Sequence, residues 1–381
     1  MTEIYLDNSA TTKPLSVVKT QILKTITENY GNPSSLHKKG LEAEKIIKKA
    51  RGSIASRLGA KKKEIYFTSG GTEGNNLALK GISSKFSNRG NHIITTIIEH
   101  KAVLNVCKHL ENMGFKITYL PVNKEGKISL KQLKKALKPE TILVSIMHVN
   151  NEIGTVQPVK KAAQIIKNHN KHTFFHVDGV QAFGKILSTP AEWNIDLYTI
   201  SGHKIHGPKG IGALSIKVGT DLQPLLHGGG QENNIRSGTE NMPGIAGFES
   251  AVNKLPDLSV TNPRNKKLAE LKNYFLKKIK ESMPQIKINT PADGAPHIAN
   301  ISLANIKGEV MVHALSGDGI YISTGSACHT NSRDKSNVLR AINLPQSLLE
   351  GTLRISFAYN NTKKEIDYTI KRIKKHREQL F

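Results

Sequence analysis

Between residues 64 and 216 the chain alternates between short β-rich apolar runs and segments whose apolar residues recur at helical spacing. The runs fall at 64–68, 92–97, 116–121, 141–148, 173–178, 196–201 and 211–216. The helical patterns lie near 73–88, 100–113, 130–138 and 158–169. Few arrangements satisfy such a sequence, because each strand must be covered on both faces and each helix must carry the chain back over the sheet. The pattern predicts an α/β fold with a mainly parallel sheet covered by helices on both faces. Ligands of such sheets gather at the carboxyl ends of the strands.

The rhythm breaks near 255–266, where Leu255-Pro256-Asp257 and Thr261-Asn262-Pro263 interrupt the helical pattern. Beyond it come a basic amphipathic helix (Leu268, Leu271, Phe275, Ile279), strands expected at 298–303, 319–323 and 353–357, and a final helix from about 363. The expectation is a large domain over 13–258 and a smaller α/β domain over 259–381 that is joined by residues 1–12. The stretch 324–337, rich in Gly, Ser, Thr, Asn and charge, is expected to be a mobile loop, and it contains Cys328.

Charge is the unusual feature of the composition, with 55 Lys+Arg against 30 Asp+Glu. The lysines come mostly in short, dispersed pairs that alternate with apolar residues at helical spacing, so most read as solvated helix faces. The net charge of +25 leaves contact with RNA or an acidic partner open. No apolar stretch approaches the roughly 20 residues of a membrane span. Two cysteines, Cys107 and Cys328, make no disulfide framework, and the opening residues lack a charged-then-apolar signal layout. A cytoplasmic enzyme without membrane association is expected.

Several motifs fall at or just beyond the expected strand ends. One apolar run ends at Asp178 and the next at Ser201-Gly202-His203-Lys204. That pairing suits pyridoxal phosphate (PLP): the lysine amine forms a Schiff base, and the carboxylate keeps the pyridine nitrogen protonated so that the ring accepts electrons. Thr68-Ser69-Gly70-Gly71-Thr72 follows a strand and opens a helix, a geometry that binds phosphate through free N–H groups and the Thr72 hydroxyl. Ser201 and His203 would add hydrogen bonds there. His100 can stack on a pyridine ring and shuttle protons, or simply start its helix. The asparagines of His148-Val149-Asn150-Asn151 can bond a cofactor or a substrate carboxylate, or only make a turn. Arg354, flanked by apolar residues, needs a partner, and a substrate α-carboxylate or a structural ion pair would each serve. Cys328 reads as a travelling nucleophile whose thiolate His329 could favour, whereas Cys107 sits in an apolar-patterned helix and reads as structural.

With these residues in view, the chain resembles cysteine desulfurases of the NifS/IscS type, in the class V branch of fold-type I PLP enzymes. The resemblance runs nearly end to end. It is carried by Tyr5-Leu6-Asp7-Asn8-Ser9-Ala10-Thr11-Thr12, Tyr30-Gly31-Asn32-Pro33-Ser34-Ser35-Leu36-His37, the Ser69–Asn76 turn, Glu99-His100 and Asn150-Asn151-Glu152-Ile153-Gly154. It continues through the Asp178 and Lys204 motifs, His227-Gly228-Gly229-Gly230-Gln231-Glu232, Arg236-Ser237-Gly238-Thr239 and Gly325-Ser326-Ala327-Cys328. The resemblance implies that Gly71, Thr72, Asn151, Gln181, Ser201, His203 and Thr239 bind PLP, with Thr239 reaching in from the other subunit of a homodimer. It also implies that Lys204 holds the cofactor, that Arg354 and Asn151 meet substrate, and that Cys328 carries a persulfide. The implied substrate is L-cysteine, and the implied acceptors are proteins, either an iron–sulfur scaffold or a tRNA-thiolating enzyme, without direct sequence-specific nucleic-acid binding. The stretch Phe357-Ala358-Tyr359-Asn360-Asn361-Thr362 departs from the Gly-Arg-Phe-Thr frequent in the family. A class V aminotransferase, a selenocysteine lyase-like enzyme and, last, a non-enzymatic RNA-binding protein are the alternatives.

Overall fold

The computed structural model describes residues 3–258, 263–324 and 336–380. The chain opens with β1 (Ile4–Tyr5), α1 (Ser16–Thr27) and α2 (Lys38–Leu58). Alternating elements follow: β2 (Ile65–Thr68), α3 (Gly71–Lys85), β3 (His92–Thr96), α4 (Lys101–Asn112), β4 (Lys116–Leu120), α5 (Leu130–Ala136), β5 (Thr141–Met147), α6 (Val159–His169) and β6 (Phe174–Asp178). Then come β7 (Leu197–Ser201), β8 (Gly212–Ile216) and α7 (Met242–Asn253). Every strand expected over 64–216 is present, with ends shifted by a residue or so.

Strands β2 to β8 form one seven-stranded sheet in the order β2-β8-β7-β6-β5-β3-β4. Neighbours from β7 to β4 run parallel, while β8 runs antiparallel to both β2 and β7. The reversal at β8 follows from connection length, since residues 202–211 leave no room for the crossover that a parallel neighbour requires. Alternate residues feed opposite faces. Ile93, Leu143, Leu197 and Leu214 pack with α3 and α4; Ile94, Val144, Tyr198 and Ala213 pack with α2, α6 and α7. This two-sided burial is the mainly parallel, helix-covered α/β architecture that the alternation predicts.

The chain continues with α8 (Pro263–Ser282), β9 (Lys287–Ile288), β10 (Ile298–Ser302), α9 (Gly308–Gly317), β11 (Ile320–Tyr321), β12 (Ser323–Thr324), α10 (Asn337–Ala341), α11 (Gln346–Leu349), β13 (Thr352–Ser356) and α12 (Lys363–Leu380), most of which build a second core. Strand β10 lies antiparallel between β9 and β13, and β12 pairs with the other edge of β13. Leu268, Leu271, Phe275 and Ile279 of α8 are buried there, together with Ile4 and Leu6 from the N-terminus. The run expected as one strand over 319–323 is split. Its first half pairs in parallel with β1 and its second half pairs with β13, so two different partners interrupt one extended segment. Helices α10 and α11 stand apart from this core: Val338 and Leu339, with Leu348 and Leu349 against the same cluster, pack with Ile98, Met147 and Ile153 at the ends of β3 and β5. Among the described residues no helix is long and apolar enough to cross a membrane.

Candidate active site

The carboxyl ends of the neighbouring strands β6 and β7 carry the two defining residues. Asp178 closes β6 and is buried. Its Oδ2 accepts from Asn75 Nδ2 at 2.7 Å and its Oδ1 from the Val180 N–H at 3.0 Å. Two donors hold the carboxylate in one orientation, as a group that must bond a ring nitrogen requires. Asn75 comes from the first turns of α3, and its role was not legible because it meets Asp178 across 103 residues of chain. Lys204 ends a helical turn just past β7. Its Nζ donates to the carbonyls of Ser9 (2.6 Å) and Ala10 (2.7 Å).

Those carbonyls belong to a strap over 7–12 that sequence reasoning left without a role. Gln181 Nε2 donates to the same Ser9 carbonyl at 2.9 Å. Thr12 donates to His203 O through its N–H (2.9 Å) and its hydroxyl (2.8 Å). His203 Nδ1 lies 3.2 Å from Thr11 Oγ1. Burial, aided by the Lys204 and Lys209 charges, pushes the His203 pKa down to about 4, so the ring is neutral near pH 7.

The phosphate-type geometry is also present. Gly71 and Thr72 begin α3, whose free N–H groups favour an anion. A Cβ at Gly71 would approach Val180 Cγ2 to 2.7 Å, so only glycine lets this turn close on the loop behind Asp178. A Cβ on Gly70 would lie 3.9 Å from Ser201 Oγ. That hydroxyl is buried and makes no hydrogen bond. A buried donor without a partner beside a helix N-terminus fits a phosphate oxygen that both would bind. These residues therefore fit PLP: an amine, an oriented carboxylate, and an unsatisfied hydroxyl at an anion-binding helix end.

His100 caps α4, its Nδ1 accepting from the Ala102 N–H at 3.1 Å. The bland reading of this residue, a helix start, is thus realised through one ring nitrogen. Burial lowers its pKa; the Asp178 charge opposes this, and Lys204 and Lys101 reinforce it. The ring thus lies in the electrostatic range of both defining residues.

A second cluster lies where the two cores meet. Asn151 follows the fully buried Asn150, whose Oδ1 accepts from the N–H groups of Glu152 and Ile153. Arg354, in the middle of β13 and only 3% exposed, donates from Nη1 to Asn151 O at 3.0 Å and from Nη2 to Asp7 Oδ1 at 2.9 Å. The structural ion pair considered for Arg354 therefore exists, yet its buried Nε has no partner. Thr239 is exposed and lines a cavity of about 170 Å³ with Thr68, Ser69 and Gly210, a cavity that Lys204 does not line. Cys328, and with it most of the expected loop, lies outside the described residues. Cys107 is fully buried in α4, and burial pushes its thiol up to about 12, which leaves it inert.

Known proteins resemble this chain over nearly its whole length. Residues 4–369 match the Aminotransferase class-V family. A cysteine desulfurase IscS of Dictyoglomus turgidum is 44% identical over 99% of this chain and 95% of its own length. A solved NifS-like protein superimposes with a TM-score of 0.91 at 40% identity, covering 99% of this chain and all of that one. A structure described as SspA in complex with cysteine gives 0.83 at 36% identity over 95% of this chain and all of that one. With its architecture and strand-end residues in place, the chain belongs to the class-V aminotransferase family of PLP enzymes, in the cysteine desulfurase branch of the NifS/IscS type.

Proposed function

We propose that the protein is a PLP-dependent cysteine desulfurase that converts L-cysteine to L-alanine and passes the sulfur through Cys328 to a protein acceptor. The observation that carries the reading is the placement of the Asn75-oriented Asp178 at the end of β6 and of Lys204 just past the end of its neighbour β7. PLP supplies an aldehyde for the lysine amine and a ring that accepts electrons. Ser201 and the start of α3, with Gly71 and Thr72, would hold the phosphate; Asp178 would hold a proton at the ring nitrogen; His100 would line the ring. Gln181, His203 and Asn151 complete the polar surround. Lys204 would act as the base that takes the substrate's α-proton. Arg354 offers its unpartnered Nε to the substrate carboxylate. The Cys328 thiolate attacks the substrate sulfur: an S–S bond forms, the Cβ–S bond breaks, and Cβ keeps the electron pair and is protonated, giving alanine and a persulfide.

The relative solved with cysteine supports this substrate. Five exposed large apolar side chains within residues 23–41, Leu23, Ile26, Tyr30, Leu36 and Leu41, support a homodimer, which would bring the partner's Thr239 to the phosphate. The division into 13–258 and 259–381 with 1–12 is supported by the separate cores and by Ile4 and Leu6 packing in the second. A cytoplasmic setting suits a catalytic thiol, and iron–sulfur assembly and tRNA thiolation are the acceptor chemistries. The test is incubation of purified enzyme with L-cysteine and a thiol reductant. Equal amounts of alanine and sulfide, lost in Cys328→Ser, are expected. Transfer of the amino group to a keto acid without sulfide would establish the aminotransferase alternative.

A further inference from the structure

The turn at Asn151–Glu152 is gripped by three separate elements. Asn300 and Arg354 are cross-strand partners on β10 and β13, and they donate to consecutive carbonyls: Asn300 Nδ2 to Glu152 O and Arg354 Nη1 to Asn151 O, each at 3.0 Å. The Glu152 carboxylate takes the third element, since Oε2 accepts from Ser336 Oγ. The same Oγ accepts from the Leu339 N–H at 3.1 Å, so Ser336 caps α10 while fastened to Glu152. Behind this cap Val338 and Leu339 are buried against Ile98, Met147 and Ile153. On the other side, Ser323 and Thr324 pair with Arg354 and Leu353. The stretch that carries Cys328 is therefore joined to the chain at a strand paired with Arg354 and at a serine bonded to Glu152.

We propose that Glu152 is a positioning residue for sulfur transfer: its carboxylate holds Ser336 and α10 on the turn that carries Asn151, and so sets the fixed end from which the Cys328 stretch departs. The inference rests on Cys328 being the sulfur acceptor. Glu152 touches neither substrate nor cofactor and acts through Ser336. Loss of the Ser336–Glu152 hydrogen bond is expected to have about a tenfold effect. Burial pushes the Glu152 acid up to about 7 against the pull of Ser336, Arg354 and Lys101, so the carboxylate is fully formed at alkaline pH.

The test compares Glu152→Ala, Glu152→Gln and Glu152→Asp at alkaline pH with two readouts. In cofactor-free protein, hydrogen exchange at the Leu339 and Arg340 amides should quicken about tenfold in the Ala variant and stay near wild type in the Gln variant, whose amide oxygen still accepts from Ser336. In loaded enzyme, single-turnover transfer of cysteine sulfur to Cys328 should slow about tenfold in Ala, with an unchanged KM for cysteine and rescue by Gln. Asp, with the charge on a shorter arm, should behave like Ala and serves if Ala does not fold. Unchanged exchange, or faster exchange with undiminished transfer, overturns the proposal. If Cys328→Ser still forms alanine and sulfide, the reading of Cys328 fails instead, whatever the exchange shows.

Discussion

The two sides of this site are built in opposite ways. At the Lys204 side, β6 and β7 are hydrogen-bonded neighbours deep in a seven-stranded sheet, so Asp178 and Ser201 are set by the register of one ladder. Glu99 reinforces that side by tying the end of β3 to β5, accepting from Thr96 Oγ1 and the Met147 N–H at 2.8 Å each. At the Arg354 side a ladder sets only Asn300 opposite Arg354. Asp7, the Asn151–Glu152 turn and Ser336 come from three other stretches of chain and are joined to this side by side-chain hydrogen bonds. The difference suits the proposed division of labour. Cofactor groups must not move, whereas the surface that receives cysteine and hands on its sulfur must exchange partners. The strap over 7–12 couples the two sides, since Ser9 receives Lys204 at its carbonyl while its N–H donates to Ser356 Oγ at 2.8 Å.

The contrast can be broken by experiment. Lys204→Ala should have the largest effect, lowering alanine formation by roughly a thousandfold or more because anchor and base are lost together. The visible cofactor band should vanish on dialysis, and a retained band would place the anchor on another lysine. Arg354→Ala should raise the cysteine KM by about tenfold to a hundredfold, the cost of a charge-assisted carboxylate contact. A normal KM with a lowered melting temperature would make the guanidinium purely a tie to Asp7. Asn75→Ala should act on kcat instead, by about tenfold, because Asp178 keeps its charge but loses one of two orienting donors. An effect of Asn75→Ala on KM alone would erase the distinction between the two sides.

The smallest effect concerns stability. Burial pushes the Glu99 acid up to about 8, opposed by its bonds from Met147 and Thr96 and helped by Asp178. Its folded pKa lies above the ordinary carboxyl value, so between about 4.5 and 8 the folded state holds a proton that the unfolded chain has released. Stability from this group is complete below that window and is lost as pH rises through it. Glu99→Gln should flatten the decline in melting temperature across these pH values. Glu152, raised to about 7, leaves a residual slope. An identical pH profile in the variant would mean that Glu99 is ionised in the fold.

Much of the first side was readable in the chain. Apolar runs ending in Asp178 and Ser201, and glycines ending the β2 run, mark strand ends because burial on both faces leaves polar and glycine residues nowhere else to fall. Other elements were harder. Helix α7 contains Pro243, Gly244 and Gly247, residues that read as breakers. Gly247 is there for contact, since a Cβ would come within 2.8 Å of Ile22 Cγ1 and push α1 away. The strand expected at 319–323 divides because its halves find different partners, which no local periodicity encodes.

By itself the sequence determined the α/β alternation, the strand ends, and the presence of an amine and a carboxylate suited to PLP, because each depends on local periodicity and short-range spacing. The tertiary structure decided which distant groups complete the chemistry. Asn75 turns the Asp178 carboxylate, the Ser9 and Ala10 carbonyls receive Lys204, and Glu152 fastens Ser336. Each of these contacts joins residues more than a hundred positions apart, and only packing of the sheet, the strap and the second core sets their distances.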